Sequence, residues 1–358
     1  MSLSIAFFGS SLVSAHWNGA ATYYRGVLKA LAANGHRIVF YEPDAYDRQK
    51  HRDIPDPDWA RVVVYPATEA GVERVLDAAR DADFLVKASG VGVFDGLLEA
   101  RIPALKRPDA LAAFWDVDAP ATLDRVALDE SDPFHALIPQ YDFVLTYGGG
   151  PPVVAGYKNC GARLCVPIYN GLDPETHHPA APDARFACDL GLVANRLPDR
   201  ERRIEEYFLS VAAELRDKRF VLTGAGWADK PMPDNVSYIG HLYTADHNAF
   251  NASARAVLNV SRDSMASYGY SPATRVFEAA GAGACIVTDA WEGIPLFFEP
   301  EREILVAESG PAVAELVARL TPAEAQRIGA AARIRALADH TYAQRIRLVE
   351  DVLAGRVS

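Results

Sequence analysis

A set of short apolar runs that do not alternate polar with apolar residues constrains this chain most. In the first half they lie at residues 5–8, 37–41, 61–65, 84–86, 111–115 and 143–147. A strand with one wet face alternates, so runs of this kind suit strands covered on both faces, as in a parallel sheet. Helical patterns fill the gaps at 20–34, 71–80 and 120–128, the first stopping at Gly35, a good C′ residue. Strand and helix in alternation specify a doubly wound α/β domain. A run at 163–168 closes this half. Residues 169–185 then hold several prolines, the adjacent His177 and His178, and an Asn-Gly pair, which together read as a linker. The pattern restarts with strands at 189–193, 220–223, 236–239, 256–260, 284–288 and 303–306, and helices at 199–216 and 272–280. A last helix covers 339–353, with Ile346, Val349, Val352 and Leu353 as its apolar residues. The expected division is therefore 1–170, 171–338 and a terminal helix in 339–358. Two domains suit 358 residues, more than one core usually serves.

Charge and cysteine usage narrow the partners. A net charge of −11 repels nucleic acid and anionic lipid over most of the surface, so neither is expected as a partner. A local basic site for a phosphorylated ligand remains compatible with it. No apolar run approaches the roughly 18 residues of a membrane span, and no basic segment precedes a long apolar one, so neither span nor signal is expected. Cys160, Cys165, Cys188 and Cys285 form no Cys-x-x-Cys pair. They read as reduced thiols of a cytoplasmic protein, with no metal site.

The most informative stretch runs from residue 268 to 289. Ser271 followed by Pro272 predicts a helix start, an N-cap hydroxyl and then proline at the first helical position. Free N–H groups and the positive dipole end of that helix suit a diphosphate. Thr274 and Arg275 in the first turn offer a hydroxyl and a guanidinium to phosphate oxygens. Glu278 shares their face and can accept both hydroxyls of a ribose. Gly281 and Gly283 end the helix. The same residues also allow an ordinary helix with Arg275 and Glu278 as a surface ion pair.

Other candidates follow strands. Arg196 and Arg262 are positive charges just beyond strand ends, either phosphate ligands or solvated arginines. Gly224 and Gly226 let backbone approach a ligand; Trp227 beside them either stacks on a base or caps the core. His241 and Tyr243 follow Gly240 and either meet a base edge or pack a loop. In the first half, residues 9–11 follow the first strand, and His16-Trp17-Asn18-Gly19 precede the first helix. This is not Gly-x-Gly-x-x-Gly, and only Glu42 ends the second strand with an acid, which argues against a dinucleotide dehydrogenase. His16 has the neutral-range chemistry of a general base, although surface histidines are common. Asp116 reads as a carboxylate that orients or deprotonates an acceptor hydroxyl, and Asp118 as a cap for the helix at Pro120. Tyr147 with Gly148-Gly149-Gly150 reads as a flexible loop or a simple turn.

Ser271, Pro272, Thr274, Arg275, Phe277, Glu278, Ala279, Gly281 or Gly283, Thr288 and Asp289 together resemble a motif of GT-B glycosyltransferases, of the GT4-like and spore-maturation-protein (CgeB) type. The resemblance extends to residues 235–241, 256–262 and His340-Thr341-Tyr342 with Arg345. It implies a GT-B fold: α/β, with two doubly wound Rossmann-like domains facing across a cleft and the last helix crossing back to the N-terminal domain. It implies that the helix N-terminus receives the donor diphosphate, that Glu278 binds the ribose or the sugar, and that Asn195 and Arg196 lie near the phosphates. The implied activity is metal-independent transfer of a sugar from a nucleotide diphosphate to an acceptor hydroxyl, with no cofactor beyond that co-substrate. UDP is the commonest nucleotide among relatives, ahead of GDP or dTDP. The acceptor, a saccharide, a protein or a small molecule, would sit in the N-terminal domain, with His16, Asp116 and Arg196 as catalytic candidates. Where many retaining members carry a further glutamate, this chain has Tyr270. That departure leaves stereochemistry open and favours one alternative, a non-catalytic nucleotide-binding relative. A sugar-nucleotide epimerase or hydrolase on the same fold is the other.

Overall fold

The computed structural model describes residues 2–16, 18–129 and 131–357, with the backbone alone at Ser264; Trp17 of the first loop lies outside them. The chain divides into two compact units, Met1–Asn170 with Tyr342–Ser358, and Gly171–Thr341.

The first unit is built on β1 (Ser4–Phe8), β2 (Arg37–Asp44), β3 (Ala60–Pro66), β4 (Phe84–Ala88), β5 (Leu111–Asp116), β6 (Phe143–Thr146) and β7 (Cys165–Pro167). They form one parallel sheet in the order β3-β2-β1-β4-β5-β6-β7. Around it lie α1 (Ala21–Ala33), α2 (Glu69–Ala79), α3 (Asp95–Leu105), α4 (Ala119–Leu128), α5 (Phe134–Leu137) and α6 (Gly150–Asn159). Residues of β4 and β6 are buried on both faces, the physical reason their runs show no alternation. Aromatic rings fill the core. Phe7 stacks on Phe40 at 5.4 Å and meets Tyr24 edge-on at 5.3 Å. Trp115 Nε1 donates to the Tyr23 hydroxyl at 2.9 Å, which donates to the Ile168 carbonyl at 2.7 Å, so the polar tips of both rings are satisfied.

The second unit carries β8 (Cys188–Val193), β9 (Phe220–Thr223), β10 (Val236–Tyr238), β11 (Ala254–Asn259), β12 (Ile286–Asp289) and β13 (Leu305–Ala307). These too are parallel, in the order β10-β9-β8-β11-β12-β13. The helices are α7 (Pro198–Ile204), α8 (Ser210–Glu214), α9 (Thr244–Ser253), α10 (Asp263–Tyr268), α11 (Thr274–Ala282), α12 (Gly310–Arg319) and α13 (Pro322–Asp339). Finally α14 (Tyr342–Leu353) packs on α1 in the first unit, burying Tyr342, Ile346, Val349 and Val352. Gly26 makes that contact possible: a Cβ there would come 2.1 Å from the Tyr342 ring.

Three helix boundaries differ from expectation. The helix expected over 199–216 is interrupted by a π turn at Glu205–Leu209 between α7 and α8. The last helix starts at Tyr342 because α13 continues to Asp339 and His340 closes it. Most relevant to the site, α11 begins at Thr274. Ala273 is extended (φ −66, ψ 146) and takes the N-cap position, so Ser271 does not cap and Pro272 precedes the helix.

Candidate functional site

In the second unit, the loops after β8, β9, β10, β11 and β12 gather at the carboxyl ends of one parallel sheet, where ligands of doubly wound sheets bind. Asp289, fully buried at the end of β12, ties the region together. It accepts from Ser261 N–H at 3.1 Å, Ser261 Oγ at 3.2 Å and Arg203 Nη2 at 2.6 Å. Burial raises its pKa against the opposing pull of Arg203.

Arg275 and Glu278, one helical turn apart on α11, both line a cavity of about 70 Å³ with Val193, Leu242, His247 and Ala279. Arg275 Nε is buried and makes no hydrogen bond, and no salt bridge holds its guanidinium among the described residues. Burial lowers its pKa and the Glu278 carboxylate offsets part of that. Arg200, in the first turn of α7, has the same character. Its pKa is pushed down to about 9, first by burial, then by the nearby charges of Arg275 and Arg262. Its Nη2 donates to the Asn195 carbonyl at 3.0 Å while Nε has no partner. Two poorly compensated guanidiniums near each other suit an anion. Arg262, whose charge is felt at Arg200, is paired with Asp199 at 2.5 Å.

Several expected ligands are otherwise occupied. Arg196 donates to Glu201 at 2.8 Å and to Asp229 at 3.0 Å, and these carboxylates raise its pKa. It is therefore a salt-bridged arginine, whereas Arg275 and Arg200 make no salt bridge among the described residues. Asn195 Oδ1 accepts from Ala225 N–H at 2.9 Å, joining the loops after β8 and β9. Gly224, at φ +122, is also required there by the fold: a Cβ would lie 2.1 Å from the Ala194 carbonyl oxygen. Gly226 lies under Arg196 in the same crossing. Trp227 is fully buried and donates to the Ala194 carbonyl at 2.7 Å, so it caps the core and cannot stack on a base. His241 and Tyr243 are exposed, their rings edge to face at 4.7 Å. The Ser271 hydroxyl is buried without a partner. Tyr270 donates to Glu292 Oε1 at 2.7 Å.

In the first unit, Asp116 corrects the expectation of an accessible carboxylate. It has no exposed surface; Oδ1 accepts from Ser89 Oγ at 2.6 Å and from Asp118 N–H at 2.9 Å, and Oδ2 accepts from the Tyr157 hydroxyl. With both oxygens engaged and no exposed surface, this carboxylate ties the loops after β4 and β5 to α6. Asp118 takes the N-cap position of α4 without a side-chain capping bond. His16 is partly exposed and its ring stacks on His51 at 4.1 Å. Gly149 and Gly150 adopt φ +92 and +49 and form the turn into α6.

Three residues of this region escaped the sequence reading: Arg200, His177 and His247. Arg200 carried a usable signal, since Pro198 after a strand marks the start of α7. For the histidines there was none, because their neighbour Glu278 is remote in sequence. A larger hollow of about 560 Å³ lies at the amino ends of β8, β11 and β12, lined by Cys188, Asp189, Ala254, Arg255 and Cys285, away from these loops.

A family model described as "Glycosyl transferase-like" matches residues 200–351. No curated protein matches in sequence. Among solved structures, the chain is similar to a sucrose-phosphate synthase from Thermosynechococcus elongatus (15% identity, TM-score 0.70, covering 99% of this chain and 100% of that one). It is similar to HepE of Anabaena, solved with UDP and glucose (13%, TM-score 0.69, 99% and 100%). It is also similar to an alpha-glucosyltransferase solved with UDP-glucose and DNA containing an abasic site (12%, TM-score 0.72, 99% and 100%). At such identities the likeness is one of fold, and the fold is GT-B, two doubly wound Rossmann-like domains.

Proposed function

We propose that this glycosyltransferase moves a sugar from a nucleotide diphosphate to an acceptor hydroxyl, with the donor held by the second unit. The observation that carries the reading is the Arg275 guanidinium, buried at its Nε, unpaired, and sharing a cavity with Glu278. An arginine left without a carboxylate at such a place suits a diphosphate, and Glu278 on the same face suits the ribose hydroxyls. His241 and Tyr243 are the candidates for the base. In transfer, the acceptor oxygen bonds to the anomeric carbon as the bond to the diphosphate oxygen breaks. The acceptor proton goes to a base, and charge grows on the departing diphosphate. Arg275, Arg200 and the N–H groups of the first turn of α11 meet that charge where it develops, with no metal in the step. His16 is the proposed base, in the acceptor-binding first unit. UDP is favoured over GDP or dTDP, because the similar solved structures include complexes with UDP and UDP-glucose. The net charge of −11 supports an acceptor other than nucleic acid, and the cysteine composition supports a cytoplasmic setting. Kinship with the CgeB-like branch rests on the residues from Ser271 to Asp289.

A thermal-shift panel of UDP, GDP, dTDP and their sugars tests the reading, on the wild type and on Glu278→Ala. A nucleotide at 100 times its dissociation constant stabilises by about 2.7 kcal/mol. The wild type should respond and Glu278→Ala should not, while melting unchanged without ligand. Silence from every nucleotide on the wild type would refute the donor site.

A further inference from the structure

Two histidines beside Glu278 are given no part in the proposed transfer, yet the structure fixes them closely. His177 arrives on the segment that precedes β8. That segment crosses α11 over Gly281, where a Cβ would lie 2.3 Å from Leu172 and 2.7 Å from the His177 carbonyl oxygen. Asn248 on α9 grips it twice: Nδ2 donates to the Thr176 carbonyl at 2.9 Å, and Oδ1 accepts from His178 N–H at 3.2 Å. The His177 N–H donates to the Asp173 carbonyl at 2.9 Å, closing the turn. His247 is the residue before Asn248, so the element that clamps His177 also supplies the second imidazole.

The outcome is a cluster of His177, His247 and Glu278 whose ligand atoms all lie within 4.8 Å of one another, with His177 Nε2 at 3.8 Å from Glu278 Oε1. His177 is 2% exposed and its Nε2 makes no hydrogen bond. A buried polar atom left in this way costs about 1–3 kcal/mol, and here it points at a carboxylate and a second imidazole.

We propose that His177, His247 and Glu278 bind one divalent transition-metal ion of the zinc type. Two imidazoles and a carboxylate are the borderline N/O set that zinc takes, with a position left open. Atoms bound at about 2.1 Å in a tetrahedral arrangement stand about 3.4 Å apart, so the 3.8 Å pair and the wider ones close on an ion by side-chain shifts of about an ångström or less. The positive charge of Arg275 nearby limits the affinity. Because the proposed function gives Glu278 to the ribose, and on that reading alone, ion and nucleotide exclude each other, so the ion blocks the donor site.

The test is equilibrium dialysis of the full chain against zinc alone, together with the visible spectrum of the cobalt(II) form. The wild type should take up one ion per chain, and its cobalt spectrum should lack thiolate bands. His247→Asn and His177→Ala should each weaken uptake by about 10-fold or more. His247 is only partly buried, so its variant reports even if the loss of buried His177 disturbs folding, which circular dichroism checks. No uptake by the wild type, full uptake by His247→Asn, or thiolate bands in the cobalt spectrum would overturn the site. With UDP present, zinc uptake should fall; unchanged uptake beside UDP that demonstrably binds would overturn the exclusion. Nucleotide binding is read separately on the zinc-free chain, so failure of the donor site and failure of the metal site give different results.

Discussion

Arg275 and Glu278 share one face of α11 and one cavity, yet no hydrogen bond or salt bridge joins them among the described residues. On an ordinary surface helix the two would close on each other. Here the His177 ring stands 3.8 Å from Glu278, and the buried Arg275 guanidinium has only the through-space attraction of that carboxylate to offset its desolvation. The free protein carries an electrostatic cost that an anionic ligand would relieve.

That cost is measurable. Arg275→Met keeps the stem and removes an uncompensated charge. The variant should melt at the wild-type temperature or above it in the absence of ligand. A fall in Tm would mean that Arg275 already has a stabilising partner.

The pairing of Arg196 fixes an acid dependence. Arg196 and Lys230 hold the Glu201 carboxyl down to about 2, from an ordinary value of 4.5. A carboxyl whose folded pKa is depressed stabilises fully above its unfolded pKa and loses that contribution as pH falls through the folded one. Glu201→Gln should therefore be the less stable protein at neutral pH. The gap should close between about pH 4.5 and 2, read by denaturant unfolding at stepped pH. A gap that persisted at pH 2 would contradict the assignment.

Trp227 separates core from ligand contact. Trp227→Ala should cost about 3–5 kcal/mol in urea unfolding, as for other buried aromatics. Trp227→Phe removes the bond to Ala194 and should cost about 1–3 kcal/mol. Nucleotide affinity of the folded Phe variant should match the wild type.

Asp116 makes the parallel case in the first unit. Asp116→Ala strands the Ser89 and Tyr157 hydroxyls in the core and should destabilise by about 1–3 kcal/mol for each. Turnover per folded molecule should hold. A variant of normal stability with abolished turnover would return Asp116 to the chemistry.

The strand runs were legible because burial on both faces leaves a mark on composition, and the runs at 84–86 and 220–223 fall within β4 and β9. Arg275 and Glu278 were legible because helical spacing puts them on one face. What the sequence hid depends on contacts between distant segments. Ser271-Pro272 carries every local mark of a helix start, yet Ala273 stays extended and displaces the start to Thr274. Trp227 follows a glycine pair that looks made for a ligand, but Gly224 is small because the Ala194 carbonyl passes close by. Asp116 sits past a strand as an accessible acid would, and only the fold reveals Tyr157 and Ser89 over its oxygens. His177 meets Glu278 only because Gly281 lets the segment before β8 cross α11.

Calorimetric titration of UDP and of uridine into the wild type and Arg275→Met tests the central claim most directly. The wild type should bind UDP more tightly than uridine. Arg275→Met should lose about 1.5–3 kcal/mol of UDP affinity, as for a hydrogen bond to a charged group, and leave uridine unchanged. Equal UDP affinity in the two proteins would contradict the account.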